Sequence, residues 1–225
     1  MLLETKLTTE QIFNAMWPAL LETLQMVGIS SVATVILGLP LGVMLFTTQR
    51  GGMSENRVVS FLLSSVLVNI TRSVPYAILV LALIPFTRLI VGTSLGPVAM
   101  SVSLTIAAVP FFARLVETAL RDVASGKLDA AHAMGSTKLQ SIAKVLVPEA
   151  MPAIVASVTT TVVTLIGYSA MAGLVGGGGL GRLGYTYGFQ RFLPDVMLYT
   201  VIVLVVLVQL VQFVGDGISK AIDHR

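Results

Sequence analysis

Side chains that could do chemistry are few in this chain and lie far apart. The two histidines, His132 and His224, are isolated, whereas a metal site normally needs three or four ligands close together. There is no cysteine, which removes disulfides, thiolate metal sites and Cys nucleophiles, and no nucleophile–base pair is evident. The residues therefore give no ground for catalysis. The run Gly176-Gly177-Gly178-Gly179-Leu180-Gly181 lacks the Gly-Lys-Ser/Thr that completes a phosphate cradle and reads as a flexible external loop. Three features remain: Arg72, a charge within an apolar region; the hydroxyls of residues 159–169; and a polar stretch from Leu128 to Pro148.

The elements that must position these residues belong in a bilayer. Hydrophobic residues make up 55% and charged residues 11% of the chain, too little polar surface for a water-soluble fold of 225 residues. No charge lies between Glu22 and Arg50, Arg88 and Arg114, Glu149 and Arg182, or Asp195 and Asp216, and a helix needs about 20 apolar residues to cross a membrane. The expected spans are Trp17–Thr47, Val58–Ile90, Pro97–Arg121, Met151–Val175 and Val196–Val214. Arg72 and Pro75 interrupt the second, giving either a kinked helix or an elbow followed by the true span. The first follows a polar stretch with Glu4, Lys6 and Glu10 and outruns the roughly 7–15 residue core of a signal peptide, so it is expected to stay in the mature protein.

Five spans put the termini on opposite sides, and basic residues choose the orientation. With the N-terminus outside, Arg50, Arg57, Arg114, Arg121, Lys127, Lys138, Lys144, Lys220 and Arg225 lie inside, against Lys6, Arg88, Arg182 and Arg191 outside. Residues 122–149 then face the cytoplasm. The net charge of +3 comes from residues flanking the spans and gives no reason to expect nucleic acid.

Within the spans, Gly38 and Gly42 share a helix face and predict close packing against another helix. Pro40, Pro75, Pro85 and Pro110 can each free backbone carbonyls and bend a span. Arg72 is costly against lipid, so it either faces a cavity, a carbonyl or a partner, or snorkels to the cytoplasmic interface. Thr159, Thr160, Thr161, Thr164, Tyr168 and Ser169 form a hydroxyl-rich set. They either bond their own helix carbonyls or line a polar path.

Leu128, Ala131, Leu139, Ile142 and Leu146 recur at amphipathic helical spacing among Asp129, His132, Lys138 and Lys144. Gly135-Ser136-Thr137 interrupts the pattern: glycine permits a tight bend, and Ser136 or Thr137 can cap a second helix. Pro148 is expected to end that helix before Pro152 opens the next span. Two short helices joined at Gly135 result. Either they lie in the headgroups, or they form a knob for a groove on a soluble protein.

The spacing Asp129-Ala130-Ala131, Gly135, Ile142 and Pro148 resembles the cytoplasmic coupling motif of ABC importer permeases, with aspartate in place of the usual glutamate. More widely, the chain resembles the methionine importer branch of that family. The resemblance rests on Arg72-Ser73-Val74-Pro75, residues 84–94 from Ile84-Pro85-Phe86 to Gly92-Thr93-Ser94, Gly167-Tyr168-Ser169-Ala170-Met171, residues 176–181, and Tyr187-Gly188-Phe189-Gln190-Arg191-Phe192. It implies an all-α, polytopic type I importer fold. Residues 1–225 would form one transmembrane domain of five helices, with residues 122–149 as its coupling elbow. Asp129, Ala130, Ala131, Met134, Gly135, Ile142 and Pro148 would couple to the ATPase. Arg72, Pro75, Thr164, Tyr168, Ser169 and Met171 are candidates for path or gate, and residues 176–181 for an outer gate or docking surface. The implied partners are a second copy of the chain, two copies of a cytoplasmic ATPase holding ATP-Mg, membrane lipid, and an external binding lipoprotein that delivers L- and D-methionine. No cofactor is expected in this chain, which would sit in the cytoplasmic (inner) membrane.

Two alternatives differ in kind. A permease for another small amino acid or solute would be a sibling within the same class, since delivery specificity would reside largely in the binding protein. A self-contained secondary transporter usually shows internal repeats and intramembrane carboxylates or ion sites, and neither is visible.

Overall fold

The charge-poor runs fold as long helices whose backbone groups are satisfied internally, as a bilayer requires. The computed structural model describes residues 9–223, the side chains of Thr9, Val66 and Leu67 excepted. Glu4, Lys6, His224 and Arg225 therefore lie outside the described residues. Among the described residues every regular element is helical. In chain order the α-helices are α1 Thr9–Thr48, α2 Arg57–Ser73, α3 Tyr76–Ala82, α4 Ile84–Val91, α5 Pro97–Arg121, α6 Ser125–Ala133, α7 Lys138–Ser141, α8 Val147–Ala172, α9 Gly179–Leu183 and α10 Pro194–Ile222, with wide-turn stretches Gly173–Gly177 and Gly184–Gln190 on either side of α9.

Four helical stretches are long and apolar enough to span a membrane, and α2 with α3 makes a fifth if that broken pair is one span. The third expected span coincides with α5, whereas α1 and α10 extend beyond the expected limits. The prolines divide by position. Val74 is extended (φ −88°, ψ 122°), as a residue before proline prefers, and α2 ends there before Pro75. Pro85 lies in the first turn of α4, where its missing N–H has no helical partner anyway. Pro40 and Pro110 sit inside helices that continue through them, so the interruptions fall at Pro75 and, just before Pro85, at Leu83.

Pro148 also overturns its expectation. It does not end the second elbow helix; α7 runs into α8 without a break through the wide-turn stretch Ile142–Leu146. The Val147 N–H reaches back five residues to the Ile142 carbonyl. Such a π-type turn widens the helix just before the ring of Pro148, which removes one i→i−4 bond and would otherwise crowd the Lys144 carbonyl.

The chain divides into two units. The first gathers residues 9–31, Pro75–Thr105 and Val162–Leu210. Its core is Ile12, Ala19, Leu180, Leu183 and Val196, and the buried Ser30 hydroxyl donates to the carbonyl of Met26 (2.7 Å) or Ser101 (3.2 Å). The second gathers Val32–Val74, Ile106–Thr161 and residues 211–223. Its core joins Phe112, Val116, Ala119, Leu120 and Val123 of the α5 region to Leu146, Ala150 and Ile154. Gly38 and Gly42 let α1 lie against α5 there: a Cβ at Gly38 would stand 2.7 Å from Phe112 Cδ1, and one at Gly42 2.6 Å from Val116 Cβ. Gly215 gives α10 the same closeness to Thr159.

Candidate coupling elbow, interior clamp and cavity

The elbow is built by two local devices. At the end of α6 the Gly135 N–H donates to the His132 carbonyl (2.9 Å) and the Ser136 N–H to the Ala131 carbonyl (3.1 Å). This reciprocal closure needs a left-handed residue, and Gly135 supplies it at φ +78°. Thr137 then caps α7: its hydroxyl accepts the Gln140 N–H, and the Gln140 side chain accepts the Thr137 N–H (2.9 Å). Ser136 is committed elsewhere, 2.7 Å from the Ser141 hydroxyl.

These devices sort the coupling candidates into two sets. Ala131 is buried, and Ile142 packs with Leu128, Leu146 and Val147 on the core of the second unit. Asp129, Ala130, Met134 and Gly135 face outward. Leu139 departs from the expected buried stripe: it is 78% exposed and Met134 82%, so the tip carries two large apolar side chains outside the core. Pro148 is exposed further along, and Lys127 and Glu149 form an ion pair across the elbow. His132 is exposed on α6.

Beside the elbow lies a clamp that sequence reasoning missed. Glu117 is inside α5 and 3% exposed. Arg114 donates to one of its oxygens (2.6 Å) and Arg121 to the other (2.5 Å). Arg114 also reaches the Asn69 side chain (3.0 Å), and Arg121 the Gln49 side chain (2.8 Å). One carboxylate thus joins α5 to α2 and to the end of α1. The Arg114, Glu117 and Arg121 spacing was readable as an i,i+3 and i,i+4 set; its remote partners were not.

The path and gate candidates are divided between the units: Arg72 belongs to the second, and Pro75, Thr164, Tyr168, Ser169 and Met171 to the first. Arg72 is exposed just before the break, its guanidinium 5.9 Å from the Phe111 ring centroid. The Pro75 carbonyl accepts the Ile78 and Leu79 N–H groups at the start of α3. Tyr168 stacks on Tyr76 with centroids 4.6 Å apart, and the Tyr76 hydroxyl lies 3.2 Å from the Ser103 hydroxyl. Thr164 is half-buried and Met171 exposed. Ser169 is buried with its hydroxyl donating to the Ile166 carbonyl (2.7 Å), and the Thr159, Thr160 and Thr161 hydroxyls donate one turn back. For these four the helix-bonding alternative holds.

The glycine run is not a loose loop. Gly176, Gly178 and Gly179 have φ of +98°, +83° and +74°, and the turn they make is tied to α1. The Gly179 N–H donates to Glu22 Oε2 (2.6 Å) and the Leu180 N–H to the Thr23 hydroxyl (2.9 Å). Gly173 and Gly181 pack so closely that a Cβ on Gly173 would meet the Arg182 backbone at 2.6 Å. Glu22 and Thr23 were missed because the backbone groups they hold in the glycine turn lie 157 positions further along the chain.

Residues 35–225 match the family described as binding-protein-dependent transport system inner membrane component. The chain belongs to that family. Within it, this permease is 50% identical over 97% of its length to a probable D-methionine transport system permease protein MetI of Vibrio cholerae, covering 95% of that relative. It is 43% identical over 93% of its length to the methionine import system permease protein MetP of Bacillus subtilis, covering 94% of it. A solved chain from inward-facing conformations of the MetNI methionine ABC transporter matches the permease over 96% of its length and 100% of its own. The TM-score there is 0.94, at 44% identity. A chain of an amino acid ABC transporter with histidines shares the fold, with TM-score 0.79 at 17% identity.

Proposed function

We propose that this permease forms, with a second copy of itself, the membrane path of an ATP-driven importer of L- and D-methionine. The observation that carries the reading is the full-length correspondence to the MetNI chain, 44% identical at TM-score 0.94, joined by relatives whose names specify methionine. Two cytoplasmic ATPase subunits would bind ATP-Mg and do the hydrolysis. An external lipoprotein would deliver the amino acid, and this chain would hold no cofactor and catalyse nothing itself.

The elbow geometry supports the coupling role. A capped bend presenting Met134 and Leu139 beside Asp129, Ala130 and Gly135 suits insertion into a groove on the ATPase, while Ala131 and Ile142 anchor it from behind. Closure of the ATPases would then bias the path between two states, and Arg72, Pro75, Thr164, Tyr168, Ser169 and Met171 remain candidates for its lining or gate. We further propose that residues 1–225 act as one transmembrane domain in the cytoplasmic membrane, with the N-terminus outside, residues 122–149 and the C-terminus inside, and residues 176–181 at the outer gate or docking surface.

The test is accumulation of labelled methionine in cells that keep the cognate ATPase and binding protein but lack only this chain, with and without its restoration. Energy-dependent uptake that returns with the chain and is competed by unlabelled methionine is the expected result. No difference, with the chain shown to be inserted and assembled, would leave the permease family standing and overturn methionine as cargo.

A further inference from the structure

The first unit contains a cavity of about 340 Å³, at the small end of the roughly 300–1,000 Å³ usual for small-molecule sites. Its lining is chemically uneven. Glu22 contributes a carboxylate, Arg182 a guanidinium, and Leu95, Pro97 and Leu174 an apolar wall. Glycines 176–178 leave the remaining side low, and a Cβ on Gly178 would collide with the Glu22 carboxylate.

The two charges are available to a ligand. Glu22 spends Oε2 on the Gly179 N–H, which fixes the carboxylate in place and leaves Oε1 without a partner among the described residues. Arg182 has no hydrogen bond or ion pair among the described residues. A fixed acceptor for an ammonium, a planar fork for a carboxylate, and an aliphatic wall between neutral glycines match the three parts of an amino acid with an apolar side chain.

We propose that this cavity is a binding site for a zwitterionic, apolar amino acid, with Glu22 holding the α-ammonium and Arg182 the α-carboxylate. It deepens the importer reading, on which it rests for the identity of the cargo, by naming residues of this chain that grip it. The grip is light by design of its parts: one charged contact at each end and an exposed wall suit brief occupancy in transit.

Because the chain has no cysteine, Thr186→Cys in the cavity lining gives it a single thiol, whose labelling is read on the separated permease after reaction in membranes carrying the whole transporter. L-Methionine at ten times its Kd should slow maleimide labelling of that thiol by about tenfold. Methioninol, which lacks the carboxylate, and the 2-hydroxy analogue, which lacks the ammonium, should protect far less. Glu22→Gln keeps an acceptor for the Gly179 N–H, so the turn persists, yet it should weaken protection by roughly tenfold or more. Arg182→Gln should do the same, and Arg182→Lys should restore part of it.

Protection by another amino acid but not methionine, still dependent on Glu22 and Arg182, would support the site and overturn methionine as cargo. No protection by any amino acid would overturn the site, whatever the uptake assay says of the importer. Equal protection by the two analogues, or equal slowing of a Ser54→Cys reporter outside the cavity, would overturn it as well.

Discussion

Glu117 shows how a charge is kept among apolar helices. Its two oxygens are each held by an arginine, and those arginines lean outward, with side chains 26% and 54% exposed against 4% for Glu117 itself. Removing the carboxylate does not strand a fully buried cation, because Arg121 can turn to solvent; the loss is that of charge-assisted hydrogen bonds. Glu117→Ala is expected to cost about 1–3 kcal/mol and Glu117→Gln less, read as lowered thermal midpoints of the detergent-purified protein. The two packing glycines should differ from one another. At Gly38 an added methyl meets the rim of Phe112, a ring that can give, with the Val109 carbonyl at 3.2 Å. At Gly42 it meets Val116 Cβ and the Ala113 carbonyl at 2.7 Å, both close to the α5 backbone. Gly42→Ala should therefore destabilise by about 1–3 kcal/mol and by more than Gly38→Ala, measured in the same melt. The sequence marked both glycines as a packing face. Only the structure ranks them, because the rank depends on whether a side chain or the main chain lies opposite.

The elbow separates what is legible within one element from what is not. Gly135 and the Thr137-to-Gln140 spacing are local signals, and the turn and cap they announce are present as hydrogen bonds within six residues. Pro148 was misleading because its cost is met by a wide turn in the preceding residues, which no local rule would demand. Leu139 misled for a related reason: the bend at Gly135 resets the helical phase, so a stripe counted across it points α7 the wrong way. A Cβ at Gly135 meets nothing within 4 Å, so alanine there faces only the left-handed backbone penalty of about 1–2 kcal/mol. Aspartate tolerates that conformation better than alanine does. If the exposed tip seats in the ATPase, Gly135→Asp should abolish methionine-coupled uptake and leave insertion intact, while Gly135→Ala retains most uptake. The reverse order would assign the defect to the backbone and not to the docking surface. Lys127→Ala, which removes an ion pair with side chains 50% and 27% exposed, should change stability by no more than about 1 kcal/mol in a thermal melt.

For the whole molecule, charge-free runs foretold four spans almost outright, and the fifth only as the ambiguous pair that the structure resolves into α2 and α3. Composition decides how much chain can enter a bilayer, and it acts at every residue. The clamp's remote contacts, and the bonds from Glu22 and Thr23 to the glycine turn, depend on single atoms meeting from distant segments, and they leave no periodic trace. The orientation carried by nine inner against four outer basic residues predicts that Ser54→Cys is labelled by an impermeant maleimide only in inverted vesicles and Thr186→Cys only in right-side-out ones. The opposite pattern would invert the assignment.

The bonds from Glu22 and Thr23 to Gly179 and Leu180 join residues 157 positions apart in each case. During synthesis α1 enters the membrane carrying a carboxylate whose partner has not yet been made. Until the ribosome has delivered nearly four-fifths of the chain, that carboxylate has no Gly179 amide to hold. The latch therefore closes late and reports that the glycine turn has arrived. A nascent chain stalled before Gly179 would leave Glu22 without that amide.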